Sequence, residues 1–478
     1  MKVGTSQTAI DQEKNEAEIV SGLVKRARAA MDQFESADQE RVDEAVTAVA
    51  WSIYEPERAK ELAELAVTDT GLGNVESKII KNQRKTFGCL RDLMRARTVG
   101  IIEEIPEKGI VKYAKPVGVV AAISPSTNPA ATPVNKAMFS IKGRNAVIVA
   151  PSPAGLMTTT RTCDYMRAEI EKIGLPPDLV QVLPSPVNKE LTQQLMNQSN
   201  LVVCTGSQNN VRRAYSSGTP AIGVGAGNVP VIIDSTADLD DAAEKIKISK
   251  CFDNATSCSS ENSVTIVAEV YDDAIKALQA VGGYLCTSED KQKIQNTLWV
   301  DGHLNRQVIA KDPDIFAETC NLSETAQKAK FFMVEDELEV GRNKPFSDEK
   351  LSLALTIYKV EDFSQAKQHV QNVLDYVGMG HSVGIHTKNT DHAEELAEEL
   401  RVVRVLVNQA HTFANGGSFD NGLSFTLTMG AGTWAGNSIS ENLGFHHFIN
   451  VTHLVNTIPE DKPSEEQMFG KYWKKFGK

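Results

Sequence analysis

The sequence predicts an α/β protein built from two doubly wound domains with a small strand arm. Three observations carry this. From Val117 onward, short all-apolar runs of the kind buried on both faces of a parallel sheet alternate with helical stretches. The alternation occurs twice, over about 117–234 and again over 235–425. The chain has 478 residues, 41 % of them hydrophobic. At roughly 150 residues per domain, that length allows two to four domains, each with a sizeable core.

The elements follow in order. Residues 12–92 predict helices, because "EIVSGLVKRARAAMDQF" and "RVDEAVTAVAWSIY" repeat apolar residues every three or four positions. The stretch 100–116, "GIIEEIPEKGIVKYAKP", alternates like strands and predicts an extended hairpin or arm. Buried strands follow in "VGVVAAISP", "NAVIVAPSP", "LVQVLPS" and "LVVCTGS". The second run contains "SVTIVAE", "LALTIYKV", "SVGIHT" and "VVRVLVNQ", with helical stretches such as "DDAIKALQAVG" and "HAEELAEELR" between them. The tail "SEEQMFGKYWKKFGK" has apolar and aromatic residues at helical intervals. It is read as a solvated, fraying terminus, with an interaction helix for a partner or subunit as the alternative.

Composition excludes several classes. The 62 acids outnumber the 50 lysines and arginines, for a net charge of −12, which argues against nucleic-acid binding. The first 20 residues have no apolar signal core, and no run of 18 or more apolar residues suits a membrane span. Seven cysteines, odd in number and never in a CxxC pair, read as a reduced cytoplasmic protein. No Cys/His group has zinc-finger or HExxH spacing, so no metal is expected.

The chemistry concentrates in a few segments. "CFDNATSCSSENSVTIV" holds Cys251 and Cys258; a buried turn and the seat of a nucleophile both remain open readings there. In "LVVCTGSQNNVRRAYS" a strand ends at Gly206 and Ser207 and a helix begins, which presents free N–H groups to a pyrophosphate. Gly223, Gly225 and Gly227 in "GVGAGNVP" suit close approach to a ligand or a tight interdomain crossover. "SPSTNP" puts Asn128 in a proline-flanked turn, where its amide can face an oxyanion or simply form the turn.

The order of "SPSTNP", "TGS", "GVGAGN", "FDNATSCSSE", "EKLS" and "TMGAGTWAGNSISEN" resembles the aldehyde dehydrogenase superfamily, and within it the CoA-acylating branch. The resemblance runs from about residue 18 to 455. It implies a cofactor domain over 1–99 and 117–234 with a return segment at about 426–455, a catalytic domain over 235–425, and an oligomerisation arm and tail over 100–116 and 456–478. It also implies Cys258 as nucleophile and Asn128 as oxyanion donor. NAD or NADP would be held by Ser124, Pro125, Ser126, Pro151, Ser152, Gly206, Ser207, Gly225, Ala226, Gly227 and Glu349. The other six cysteines have the fate of small buried hydrophobes.

Two departures from the family pattern are informative. Hydrolytic members carry a glutamate in the segment matching "GVGAGN", and the aligned position is read as Gly223, so the thioester should pass to coenzyme A rather than water. Ser152 replaces a common lysine and leaves NAD and NADP both open. Thr256, Ser257, Ser259 and His411 are expected to line the aldehyde pocket, with His381 a further contact. The "FDNATSCSSENS" wording is most similar to enzymes acting on sulfoacetaldehyde, with succinate semialdehyde second and an acetaldehyde dehydrogenase as a further alternative. The resemblance also implies a homodimer or homotetramer. The competing classes are a hydrolytic dehydrogenase, disfavoured by Gly223, and a non-catalytic structural or shell-associated paralogue.

Overall fold

A computed structural model describes the chain from residue 7 onward, with side chains from residue 14. Part of the stretch read above for a signal core therefore lies outside the described residues. Among the described residues, no helix is long and apolar enough to cross a membrane.

Four helices, Gln7–Phe34, Gln39–Tyr54, Pro56–Thr70 and Val75–Met94, open the chain. Each of the last three begins at a side-chain cap, from Asp38, Glu55 and Asn74 respectively, which satisfies backbone N–H groups that a helix start leaves unpaired. The first helix packs on a five-stranded parallel sheet, and the second packs on the helices Ala131–Lys142 and Leu156–Lys172 that flank it. Its strand order is Val180–Val182, Ala146–Ala150, Val119–Ile123, Leu201–Thr205, Ala221–Val224. Val119–Ile123 and Ala146–Ala150 are buried along their whole length, as strands covered on both faces must be. The chain order reverses between Val119–Ile123 and Leu201–Thr205. In such sheets ligands bind beyond the carboxyl ends of the strands at that switch point. Lys136 is fully buried there and donates to the carbonyls of both strands, at Ile123 and Val203.

A second parallel sheet has seven strands, ordered Gly283–Leu285, Phe331–Glu335, Ala354–Val360, Glu261–Val267, Val229–Ile233, Val383–His386, Val405–Val407. It carries its own cores. Val229–Ile233 belongs to this sheet, which corrects the expected boundary at residue 234. An all-apolar strand such as "VPVII" does not encode its pairing partners; the crossover before it delivers it beside Glu261–Val267.

The expected arm forms. Gly100–Ile105 and Ile110–Pro116 pair antiparallel, and Ile449–Val455 adds to the second of them with Val451 opposite Ala114. This last strand had been expected in the cofactor domain. Beyond Ile449 its residues are exposed.

The tail also differs from expectation. Glu465–Phe476 is a helix, started by a capping box between Ser464 and Gln467. Glu465 and Glu466 sit in its first turn and Lys474 and Lys475 in its last, the arrangement that complements a helix dipole. Met468, Phe469, Tyr472 and Phe476 stand exposed on it.

Candidate active site

A cleft of 1090 Å³ runs from the switch point of the five-stranded sheet to the loop that precedes the strand Glu261–Val267. One wall is made by the strand ends: Ser124, Pro125 and Ser126 after Val119–Ile123, Pro151 and Ser152 after Ala146–Ala150, Gly206 and Ser207 after Leu201–Thr205. Ser207 caps the helix Gln208–Tyr215 and turns its N-terminal N–H groups toward the cleft, where an anion is stabilised. Lys189, Arg212 and Arg213 border the same end. The other wall holds Thr256, Ser257, Cys258, Leu427 and Met429, with Asn128 and Glu349 at the junction. Glu349 is the one carboxylate among the residues lining the cleft.

Cys258 is half-buried. Burial, and then the charge of Glu349, push its thiol up to about 12, while a hydrogen bond with Ser259 and the Arg404 guanidinium pull the other way. Glu349 is itself raised to about 8, by burial first and by neighbouring Asp348 second, although a backbone hydrogen bond from Gly227 opposes this. The two groups therefore disfavour each other's charged forms.

The approach to Cys258 is unusual in its backbone. Asp253, Asn254 and Ala255 all have positive φ, at 52°, 52° and 61°. Such angles are costly for residues with a Cβ and persist only where surroundings hold them. Asp253 is fully buried and supplies that hold. It accepts from the backbone N–H of Asn74 at 3.0 Å, from Lys78 at 3.1 Å, from Thr256 at 2.7 Å and from Lys81. Burial alone would raise its carboxyl; Lys81 and Lys78 outweigh that and hold it below the usual carboxylate range. Lys81 also donates to Asn128 Oδ1 at 2.8 Å and to Thr256 Oγ1 at 3.3 Å. Sequence reasoning missed Lys78, Lys81 and Asp253. A lysine pair at three-residue spacing on a helix looks like any solvated face, and only the fold brings it against the nucleophile's loop.

Most of the expected site residues gather at the cleft, and the exceptions have clear causes. Gly227 lies behind Cys258 instead of on the wall: a Cβ there would stand 2.4 Å from the Cys258 carbonyl oxygen. Gly223 faces away, since a Cβ would meet Val211 at 2.8 Å, and its backbone exchanges hydrogen bonds with the Tyr215 hydroxyl. A residue at 223 points into the helix Gln208–Tyr215, so the missing base is not specific to that position. What holds is broader: no acid occurs in 221–228, and Gly225 and Ala226 form the cleft edge.

Ser259 is buried and accepts from Asn415 at 2.9 Å behind the wall. His411 is also buried, with Nε2 2.8 Å from Ser382 Oγ, which lies 2.8 Å from His381 Nδ1. Burial lowers both imidazoles far below the ordinary histidine range, to about 3 for His381. Burial disfavours the charged form of both, and neither is among the residues lining the cleft.

Among the described residues one group brings three possible metal-ligand atoms within 4.8 Å of one another, Glu441, His446 and His447. Both imidazoles already bond the Glu441 carboxylate.

The aldehyde dehydrogenase family model matches residues 3–291. An acylating sulfoacetaldehyde dehydrogenase of Cupriavidus necator is 50 % identical over 474 residues, covering 99 % of this chain and 96 % of that protein. An acetylating succinate-semialdehyde dehydrogenase of Clostridium kluyveri is 37 % identical, covering 94 % of this chain and 99 % of its own length. In three dimensions, an acetylating aldehyde dehydrogenase of Geobacillus thermoglucosidasius superimposes with a TM-score of 0.90 at 33 % identity, over 95 % of this chain and 99 % of that one. The cysteine beside a cleft at the sheet's switch point and the relatives that share nearly its full length agree: this chain belongs to the aldehyde dehydrogenase family, on its acylating branch.

Proposed function

We propose that the chain oxidises a short aldehyde with a terminal anion to its acyl-CoA, using NAD+ or NADP+ and passing through a thioester on Cys258. The net reaction is aldehyde + CoA + NAD(P)+ to acyl-CoA + NAD(P)H + H+, and it is reversible. The observation that carries this is one cleft with Cys258 and Asn128 at one end, a switch-point turn at the other, and no carboxylate besides Glu349 on its walls.

The residues present suit a dinucleotide. Ser207 and the first turn of the helix Gln208–Tyr215 would offer backbone N–H groups to a pyrophosphate at the Gly206 turn, whose own N–H is engaged by the Val224 carbonyl; Pro151 and Ser152 would border the adenosine ribose, and Glu349 would accept from the nicotinamide ribose. When bound, the nicotinamide supplies the hydride acceptor. Cys258 Sγ attacks the aldehyde carbonyl carbon as thiolate. Asn128 Nδ2 and the Cys258 backbone N–H hold the resulting oxyanion, and one such donor is worth about 3 kcal/mol. The thioester then persists because no side chain of 221–228 activates water against it, and the thiolate of coenzyme A displaces Cys258. The 50 % identity to a sulfoacetaldehyde enzyme and the hydroxyls of Thr256 and Ser257 on the wall favour sulfoacetaldehyde, with succinate semialdehyde second.

Steady-state rates with sulfoacetaldehyde, succinate semialdehyde and acetaldehyde, with and without CoA and with either cofactor, test this. Acyl-CoA should form with an anionic aldehyde and vanish in Cys258→Ala. Free acid as the product, or acyl-CoA formation retained in that variant, overturns the reading. The site residues are proposed to work in a cytoplasmic homodimer or homotetramer, joined through the arm strands and the exposed tail helix.

A further inference from the structure

We propose that Lys81 is a positioning residue that sets the orientation of the Asn128 amide and locks it to the loop of the nucleophile; this rests on the thioester reading of Cys258 and Asn128. The reasoning begins with donor chemistry. An ammonium has three donors and no acceptor, so only the oxygen of a carboxamide can face it. Lys81 Nζ stands 2.8 Å from Asn128 Oδ1. That contact forces the amide to present Nδ2 elsewhere, and among the described residues no group accepts from Nδ2. Asn128 borders the cleft together with Cys258, so the free N–H groups are available to an oxyanion there.

The other two donors of Lys81 go to the nucleophile's own segment: to Thr256 Oγ1 at 3.3 Å, two residues before Cys258, and to the Asp253 carboxylate. Thr256 donates in turn to Asp253 at 2.7 Å, so its oxygen is free to accept from Lys81. Asn128 follows the strand Val119–Ile123 of one sheet, and Cys258 precedes the strand Glu261–Val267 of the other. Lys81, on a third element, the helix Val75–Met94, is bonded to both loops. A 6 % exposed side chain with all three donors engaged is a fixed strut, and its charge is balanced by Asp253. Lys78 repeats the link one turn earlier, from Thr127 O at 3.3 Å to Asp253.

A double-mutant cycle tests this with Lys81→Met, Asn128→Ala and the double variant, read as kcat, KM for the aldehyde, and the rate of Cys258 alkylation. If Lys81 acts through Asn128, Lys81→Met lowers kcat by up to the roughly 100- to 1,000-fold that follows loss of an oxyanion donor, with KM changed less than about threefold. The double variant then is no slower than Asn128→Ala. Lys81→Gln, whose amide can still donate to Asn128 Oδ1, recovers part of the rate. Multiplying losses in the double variant, or an unchanged kcat in Lys81→Met, overturn the proposal while leaving the thioester reading intact. Activity retained in Cys258→Ala overturns the thioester reading itself. Should Lys81→Met not fold, the Lys81→Gln arm decides alone: its kcat loss must disappear in the Asn128→Ala background.

Discussion

At the scale of single residues, Asn128 and Glu349 carry the sharpest expectations. Asn128→Ala removes one donor from the oxyanion and should lower kcat by about 100- to 1,000-fold, with far less effect on cofactor binding. Glu349 sits near Cys258 with its carboxyl raised to about 8, above its ordinary value of 4.5. Between those two values the folded state holds a proton that the unfolded state has lost. The contribution of Glu349 to stability therefore falls as pH rises from 4.5 toward 8 and levels off above it. Glu349→Gln should flatten that slope in denaturant titrations across this window. The same variant removes a charge that opposes the Cys258 thiolate, so the midpoint of iodoacetamide alkylation against pH should move down. An upward shift would contradict the coupling between the two groups.

At the scale of elements, the segment from Gly225 to Asn228 connects the two sheets and forms the floor behind the nucleophile. Gly227 has no room for a methyl group, because backbone of Cys258 lies 2.4 Å from where it would stand. Gly227→Ala must push the Cys258 loop into the cleft. Near-complete loss of kcat and a stability loss of about 1–3 kcal/mol by urea unfolding are expected. The approach loop 253–255 works with this segment from the other side. Its three left-handed residues are held by Asp253, and "FDNATSC" alone does not reveal that strain. Cys258 was legible as the candidate nucleophile because ordered motifs resembling a known family surround it. The supporting polar network was not, because Lys78, Lys81 and Asp253 are 175 and 172 residues apart in the chain and carry no local signal.

At the scale of the whole molecule, two parallel sheets share one cleft, and an antiparallel arm ends at an exposed strand, Ile449–Val455. An edge strand with unpaired backbone groups is a template for pairing with another chain. The tail helix adds an exposed apolar face, with Phe469 53 % and Tyr472 62 % accessible. If copies of the chain assemble through it as proposed, deleting 456–478 should lower the mass in sedimentation while each protomer loses only the far-UV dichroism of the helix Glu465–Phe476. An unchanged mass would remove the tail from the assembly.

The sequence by itself determined the α/β class, the arm hairpin, and the placement of Cys258, Asn128, Gly206 and Glu349 at one site. The class and the hairpin follow from apolar periodicity and turn chemistry, which are local signals; the site residues follow from the family resemblance that the ordered motifs carry. Only the tertiary structure decided which sheet receives Val229–Ile233, that Ser259 and His411 lie behind the wall, that Gly223 faces a helix, and that Lys81 bridges the two loops. Strand pairing, side-chain direction and the partners of a buried charge depend on groups distant in the chain, and these meet only when the two sheets close on each other.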